Sequence, residues 1–427
     1  MRDAARRIFT TALQKASIAN AFARHVHCER GLVRVCEDLY DLDSYSRVLV
    51  VSIGKAAHTM VEALEAQVGS RLEGIVASSA QPAGQVRGFR YFQGGHPTPN
   101  AESIQAAETI LKSLNTLNAA SLAIFLISGG GSSIVEKPGD DEVSLVDLMG
   151  TYRALVHSGA PIAEINAIRK HLSAVKGGRL AQAAYPAQQV SILVSDVPDN
   201  APDALASGPT MPDSTTVEDC RRIVEKYGLL EQFPAAVAEL FRRHLVEETP
   251  KADDPAFVRA RWWTVSSNGV AVEEAACAAR DAGFAVEIDN ACDDWDYDNA
   301  ADYLVKRVRE LKQKASKVCL ISGGEVTVSV HNGGTGGRNQ QFALACAGRI
   351  AGEDITVLSA GTDGIDGNSP AAGAVVDGGT IERAGADAVR AALAKFDAYP
   401  LLQGMGDTIV TGATGNNLRD LRILLAY

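Results

Sequence analysis

Short runs of apolar, often β-branched residues alternate along the chain with longer segments whose apolar positions recur every three to four residues. The runs at 47–53, 122–127, 190–194, 318–321 and 355–358 each end in a glycine-rich or acidic turn. A short and almost wholly apolar run is typical of a strand that is covered on both faces. Because these strands alternate with helices, the pattern predicts an α/β protein with mostly parallel sheets.

Helical periodicity predicts a helix in most of the intervening segments. The predicted helices are 3–24, 55–67, 101–114, 144–157, 162–184, 216–227, 235–245, 268–282, 299–314, 338–349 and 379–394. The last apolar run, 418–425, is too short for periodicity to separate a strand from a helix. A polar stretch at 246–261 is the best candidate for a linker, and we expect an N-terminal domain over 1–240 and a smaller C-terminal domain over 241–427.

The composition limits the kinds of molecule that we expect this protein to bind. The chain has 427 residues, a net charge of −11 and no polybasic run, so nucleic acids and anionic membranes are excluded as main partners. Its seven cysteines are scattered and form no C-x-x-C pair, which argues against a disulfide scaffold or zinc cluster. No apolar stretch approaches the ~20 residues of a membrane helix. We therefore expect a soluble cytoplasmic protein.

Two strand ends carry groups that suit an anion. Three consecutive glycines allow backbone N–H groups to approach a phosphate closely, although a tight turn is the simpler alternative. Lys55 opens a predicted helix, whose positive end disfavours a lysine unless an anion is bound there; a solvated surface lysine is the alternative. The glycine segment matches neither a Walker loop nor a complete dinucleotide fingerprint. It comprises Ser128, Gly129, Gly130, Gly131 and Ser132.

A cationic segment follows. On the predicted helix 162–184, Arg169, Ser173 and Lys176 lie on one face, and no acidic residue lies among them. This face either contacts a substrate carboxylate or phosphate, or is simply solvated. His96 lies in a proline-rich turn and is either a ligand contact or a turn residue.

Acidic loops and one further arginine complete the candidates. Asp196, Asp363 and Asp366 follow predicted strand ends, where open α/β sheets bind ligands. Mg²⁺ prefers one or two carboxylates together with phosphate oxygens, whereas local Asx turns are the alternative role for such residues. Arg338 starts a predicted helix after the glycine-rich segment 333–337. A planar guanidinium there is suited to clamp a phosphoryl group in transfer.

Nine motifs in this order resemble the glycerate 2-kinase family, whose C-terminal domain is named as a multi-organism fragment rich in leucine. They are Gly54–Ala57, Gly95–Pro97, Ser128–Ser132, Arg169–Ser173 with Lys176–Arg179, Ser195–Pro198, Ser207–Thr210, Gly323–Glu325, Gly337–Gln340 and Gly361–Gly367. Two departures concern the acids: Asp199-Asn200-Ala201 stands where many members have Gly-Asp-Asp, and Gln341 where many have Glu.

The resemblance implies an enzyme that uses ATP and Mg²⁺ to phosphorylate D-glycerate at its 2-hydroxyl, giving 2-phosphoglycerate. It implies a Rossmann-like N-terminal α/β domain, a smaller C-terminal α/β domain and an active site in the cleft between them. It also implies that Lys55 and Arg338 are central to catalysis.

Combined with the strand-end positions, this resemblance suggests a role for each candidate. The glycine segment and Asp363 hold nucleotide and Mg²⁺, with Asp366 as a second metal ligand. Arg169, Lys176 and His96 contact substrate, and Asp196 orients the 2-hydroxyl or a metal ion.

Two alternatives stay open. An NAD(P)H-dependent hydroxypyruvate reductase should carry a complete G-x-G-x-x-G fingerprint, which this chain lacks. A non-catalytic sensor of sugar acids would need fewer converging charged groups. A homodimer is compatible with the sequence, which does not fix the oligomeric state.

Overall fold

The computed structural model describes residues 1–69, 72–330 and 333–427. The chain forms two compact units. The first, here called the N-terminal unit, is Phe22–Val265; the second, the C-terminal unit, combines Met1–Ala21 with Ser266–Tyr427. This division differs from the expected boundary at 240/241, because the first helix belongs with the C-terminal half and the candidate linker, 246–261, lies entirely within the N-terminal unit.

The strands are numbered in chain order. They are β1 Val26–Glu29, β2 Leu32–Val35, β3 Asp38–Asp41, β4 Arg47–Ile53, β5 Glu73–Ser78, β6 Phe89–Gln93, β7 Ser121–Ser128, β8 Gln188–Val194, β9 Ala260–Ser266, β10 Ala285–Ile288, β11 Val318–Gly323, β12 Ile355–Gly361, β13 Gly373–Asp377, β14 Thr408–Ile409 and β15 Asp420–Ala426.

The helices are numbered in the same way. They are α1 Arg2–Lys15, α2 Ile18–His25, α3 Ala57–Val68, α4 Ala101–Leu114, α5 Gly131–Ile134, α6 Leu145–His157, α7 Ile162–His171, α8 Arg179–Ala184, α9 Val217–Lys226, α10 Ala235–Arg242, α11 Asn268–Asp281, α12 Tyr297–Lys312, α13 Arg338–Arg349, α14 Thr380–Ala384, α15 Ala386–Lys395 and α16 Ala398–Gly404. Short 3₁₀ helices occur at Leu42–Ser44, Pro202–Ser207 and Pro255–Phe257.

The main sheet of the N-terminal unit is doubly wound. Its six strands lie in the order β6-β5-β4-β7-β8-β9, and β4 to β8 form parallel pairs throughout. All eight residues of β7 are buried, as expected for a central parallel strand. The strand order reverses between β4 and β7, and open α/β sheets bind ligands at the carboxyl ends of the strands beside such a reversal. The predicted α/β class is confirmed, and the predicted mostly parallel sheet is confirmed for this unit.

One predicted helix is wrong in the N-terminal unit. The segment 162–184 forms two helices, because α7 ends at His171 and α8 begins only at Arg179. Gly177 and Gly178 between them have positive φ values of 56° and 85°, a conformation that interrupts a helix. Arg169 and Lys176 therefore do not share a helix face. The small antiparallel sheet β1-β2-β3 was not predicted, since its four-residue strands are too short for a periodic signal.

The C-terminal unit contains a mixed sheet. Its six strands lie in the order β10-β11-β15-β12-β13-β14. Only β10 and β11 pair in parallel, and the other neighbours are antiparallel. The chain's last apolar run is thus a strand, β15, buried between β11 and β12.

Helices cover both faces of this second sheet. Helix α1 packs beside α11 through Ile8, Phe9 and Val272, while α12 and α13 pack on the opposite side. The buried face of α1 explains why residues 1–21 belong to the C-terminal unit. No helix within 1–69, 72–330 and 333–427 combines the length and apolar character needed to cross a membrane.

Candidate active site

Lys55 lies in the turn that joins β4 to α3. Its backbone N–H donates to the carbonyl oxygen of Gly129 at 2.9 Å, and the N–H of Ala56 donates to Ser128 Oγ at 3.1 Å. The helix begins only at Ala57, two residues later than predicted. The lysine side chain is exposed. The two strand-end turns are therefore bound to each other, and they present one cation at the point where the strand order reverses.

The glycine segment approaches its neighbours too closely for side chains. An ideal Cβ on Gly129 would lie 1.7 Å from Oδ2 of Asp196, and one on Gly131 would lie 2.7 Å from the Cβ of Ala206. The loop after β7 therefore packs its bare backbone against the loop after β8. Helix α5 begins within this segment at Gly131 and is a single turn of four residues.

Two candidate residues, His96 and Lys55, lie next to Gly130. This glycine has a positive φ of 79°, and a Cβ there would lie 3.0 Å from Cδ2 of His96 and 3.1 Å from Cγ of Lys55. Desolvation, and after it the positive charge of Lys55, lowers the pKa of His96. The imidazole is therefore mostly uncharged at neutral pH. The structure thus places Lys55, His96 and the glycine segment in one cluster, here called the strand-end site.

Lys176 lies in a different environment from the one expected. Its side chain is 1% exposed and forms an ion pair with Glu136, which is fully buried. Ser173 Oγ donates to the same carboxylate at 2.6 Å. Burial lowers the pKa of Lys176. The lysine therefore holds the loop between α7 and α8 in place, and its buried partner Glu136 was missed because it lies 40 residues earlier in the chain.

Arg169 is the more accessible cation of this segment. Its guanidinium carbon lies 4.7 Å from the centroid of the Tyr152 ring, and the Tyr152 hydroxyl donates to Glu136 at 2.6 Å. The neighbouring side chains of Lys170 and His171 instead contact acidic side chains of the same unit. Lys170 donates to Asp203 and Asp213, and His171 Nε2 lies 2.8 Å from a Glu248 carboxylate oxygen.

In the C-terminal unit, Arg338 stands at the first position of α13. Its Nε and Nη2 donate to the two carboxylate oxygens of Asp420 at 2.6 and 3.0 Å. Nη2 also lies 2.7 Å from Oε1 of Glu325. Burial opposes the charge, but Asp420 and then Glu325 raise the pKa of Arg338. The expected conflict with the helix end is thus relieved by carboxylates of the chain itself. No sequence signal identified Asp420, which is distant in the chain.

The two acids of the 362–367 loop differ sharply. Asp366 is 2% exposed and accepts the backbone N–H groups of Asn339 and Gln340 at 3.1 and 2.9 Å. Burial, with a contribution from the charge of Asp420, raises its pKa to about 6. Asp363 is half-buried, and its Oδ1 accepts the N–H of Ile365 at 3.1 Å. Asp366 therefore caps α13, while Asp363 forms a local Asx turn.

Within the described residues, no group of three or more His, Cys, Asp or Glu side chains is arranged to hold a metal ion. The Asp366 oxygens already accept amide hydrogen bonds. Asp363 alone could provide a carboxylate for Mg²⁺, which commonly takes one or two protein carboxylates and completes its shell with phosphate oxygens and water. The residues present therefore fit a metal that arrives with a phosphate ligand.

Together, the doubly wound parallel sheet and the mixed sheet place the chain among two-unit α/β proteins. Residues 4–242 match a family described as a domain of unknown function (DUF4147), and residues 318–420 match the MOFRL family. A D-glycerate 2-kinase of Thermotoga maritima is 37% identical over 387 residues, covering 88% of this chain and 90% of the relative. The chain belongs to the glycerate 2-kinase family.

Two further likenesses were found. A protein of Agrobacterium vitis named putative hydroxypyruvate reductase is 38% identical and covers 89% of this chain and 87% of its own length. A crystal structure of glycerate kinase from Thermotoga maritima superposes with a TM-score of 0.87 at 33% identity, covering all of this chain and 99% of the other. The family predicted from the sequence motifs is confirmed by the first relative and this structure.

Proposed function

We propose that this protein transfers the γ-phosphoryl group of ATP to the 2-hydroxyl of D-glycerate, releasing ADP and 2-phosphoglycerate. The observation that carries the proposal is the exposed Lys55 beside the glycine segment, at the reversal of a doubly wound sheet. The relative named D-glycerate 2-kinase supports this substrate pair. Phosphoryl transfer needs positioning and charge neutralisation more than covalent catalysis, and the strand-end site can provide both.

The glycine segment is the proposed phosphate cradle. Side chains at Gly129 and Gly131 are excluded because they would collide with Asp196 and Ala206. A backbone without side chains can be approached closely by a ligand. Backbone N–H groups that point into such a concavity bind anions. Ser128 fixes the cradle to the Lys55 turn through its bond to Ala56, and the partly exposed Ser132 is available to donate to a phosphate oxygen.

In the transfer step, the 2-hydroxyl oxygen forms a bond to the γ-phosphorus, and the bond from that phosphorus to the bridging oxygen of ADP breaks. Lys55 and Arg338 are the cations that we propose neutralise the charge on the transferring group. Asp196, whose carboxylate lies against the glycine segment, orients the 2-hydroxyl and accepts its proton. The remaining contacts to carboxylate or phosphate come from Arg169 and His96, with Lys176 acting as a positioning residue.

Mg²⁺ would be held by Asp363 together with phosphate oxygens of the nucleotide, and when bound it would neutralise phosphate charge. Asp366 supports that loop by capping α13 rather than by offering a free oxygen. A cytoplasmic location is part of the proposal, and the seven cysteines, all free thiols, fit it.

The test is ADP release by the full chain, followed with a coupled assay in the presence of ATP, Mg²⁺ and D-glycerate. We expect ADP to form only when D-glycerate is present. ADP formation that ignores glycerate, or no ADP at all under conditions where the protein is folded, would contradict the proposal. L-Glycerate serves as the matched control substrate.

The name of one relative, putative hydroxypyruvate reductase, suggests a second activity to test. The strand order of the N-terminal unit is the one used by dinucleotide-binding proteins, but the glycine segment lacks the third glycine of their fingerprint. We expect no loss of NADH or NADPH absorbance when hydroxypyruvate is added to the protein. A steady, enzyme-dependent loss would favour the reductase instead.

A further inference from the structure

A cavity lies beside the strand-end site, entirely within the N-terminal unit. It has a volume of about 420 Å³ and lies between the turn that follows His96 and the helices α6 and α7. The wall residues that matter here are Pro97, Pro99, Met149, Tyr152, Val156 and Arg169. The lining therefore combines an apolar wall with the guanidinium of Arg169, and it also includes Thr98, Arg153 and His157.

The guanidinium of Arg169 is positioned by contacts within the N-terminal unit. Arg169 stacks on the Tyr152 ring at 4.7 Å, and Tyr152 is fixed by its hydrogen bond to the buried Glu136, which Lys176 neutralises. Nε of Arg169 is buried and has no hydrogen-bond partner among the described residues. A buried donor without an acceptor is unfavourable. Other atoms of Arg169 line the cavity, where the guanidinium can donate to an acceptor oxygen of a ligand.

The size and lining of the cavity indicate which class of ligand it can bind. Arg153 adds a second guanidinium to the lining of the same cavity, so its charge favours an anion. Its volume falls in the range that accommodates ligands of drug size, far more than the few heavy atoms of a small hydroxy acid require. Proline, methionine, valine and tyrosine surfaces suit a flat apolar ring. A nucleotide is an anion that carries a flat ring, and it is the anion of this kind that the proposed kinase function requires.

We propose that this cavity binds the adenosine part of the nucleotide, with Arg169 donating to a phosphate oxygen next to the ribose. The inference rests on the proposed kinase function and deepens it. Pro97 directly follows His96, which lies beside Gly130 and Lys55. A nucleotide seated here can therefore extend its phosphates past His96 to the glycine segment, so the contact of Arg169 is with phosphate rather than with the carboxylate of the substrate.

The proposal is tested by ADP binding to the full-length protein, measured by titration calorimetry. Val156→Trp fills the apolar wall from a position that is 59% exposed, and Val146→Trp places the same side chain on the same helix, outside the cavity lining and 72% exposed. We expect Val156→Trp to raise the Kd for ADP at least tenfold and Val146→Trp to leave it within twofold. Arg169→Gln should also raise the Kd at least tenfold without the added bulk.

Unchanged ADP affinity in Val156→Trp and Arg169→Gln, with both proteins folded by circular dichroism, would overturn the proposal. So would a raised KM for D-glycerate with an unchanged Kd for ADP, because the cavity would then hold the hydroxy acid. The binding measurement does not depend on turnover. Loss of ADP binding in Val156→Trp combined with no glycerate phosphorylation by the unaltered protein would therefore reject the kinase function while leaving the nucleotide site standing.

Discussion

The two units hold their key cations in opposite ways. Lys55 is exposed on a turn beside Gly130, and its side chain forms no ion pair within residues 1–69, 72–330 and 333–427. Arg338 donates two hydrogen bonds to Asp420, whose side chain is 1% exposed, and pairs with Glu325 as well. A lysine without such a pair is available to an incoming anion, whereas a paired arginine also stabilises the fold. Activity and stability should therefore separate at Lys55 and change together at Arg338.

The largest effect is expected for Arg338→Ala. Removing the guanidinium leaves the buried Asp420 carboxylate without its ion-pair partner, which should lower the free energy of unfolding by about 3 kcal/mol. If Arg338 also neutralises the transferring phosphoryl group, kcat should fall by about 100-fold or more. Urea unfolding and steady-state kinetics on the same preparations measure both. The control is Arg390→Ala, an exposed arginine paired with Asp387, which should change neither.

Lys55→Ala should give the complementary result. We expect kcat to fall by about 100-fold or more, with the free energy of unfolding unchanged within about 0.5 kcal/mol because the side chain is exposed. The exposed Lys112→Ala is the matched control and should keep full activity. Near-normal kcat in Lys55→Ala would remove the lysine from the mechanism, and a large loss of stability would show that it is a structural residue.

The contribution of Asp366 to the stability of the C-terminal unit should depend on pH. Its folded-state pKa of about 6 lies above that of an unfolded aspartate, about 3.9, so the folded protein binds this proton more tightly. The stability that it contributes is therefore present below about pH 4 and is lost as the pH rises through about 6. The difference in unfolding free energy between the unaltered protein and Asp366→Asn should decrease over that window by up to about 3 kcal/mol. A difference that grows with pH would contradict this.

The smallest effect is expected for Gly129→Ala. The added Cβ would lie 1.7 Å from Oδ2 of Asp196, but a carboxylate at the end of a side chain can shift, so we expect only about 1 kcal/mol of lost stability. Because Asp196 is displaced, kcat/KM should fall about tenfold. Gly84→Ala, where a Cβ meets nothing within 4 Å, is the control. Equal activity of both variants would argue against a role for Asp196.

The sequence was sufficient for the α/β class with a mostly parallel sheet in the N-terminal unit, and for the position of Lys55 and the glycine segment at strand ends. Strands such as β7 are buried on both faces and therefore appear as continuous apolar runs. Lys55 and the glycine segment directly follow β4 and β7, so their proximity follows from parallel pairing of these strands. The local pattern gave the strand ends, and the structure added the strand order that brings these two ends together.

Contacts between distant segments could not be predicted in the same way. The pairing of Arg338 with Asp420 joins residues 82 positions apart, and nothing local distinguishes Asp420 from other acids. The amphipathic pattern of α1 predicts a buried face, but not that its partner is α11, more than 250 residues later. The break between α7 and α8 depends on two glycines with positive φ, which periodicity alone does not reveal.

Phosphorus NMR of the product mixture tests the central claim most directly. With ATP, Mg²⁺ and D-glycerate, the unaltered protein should convert the γ-phosphate signal into that of 2-phosphoglycerate, and Lys55→Ala at the same concentration should leave ATP essentially unconverted over the same time. Formation of 3-phosphoglycerate would contradict the assigned hydroxyl. Equal conversion by both proteins would contradict the role of the strand-end site.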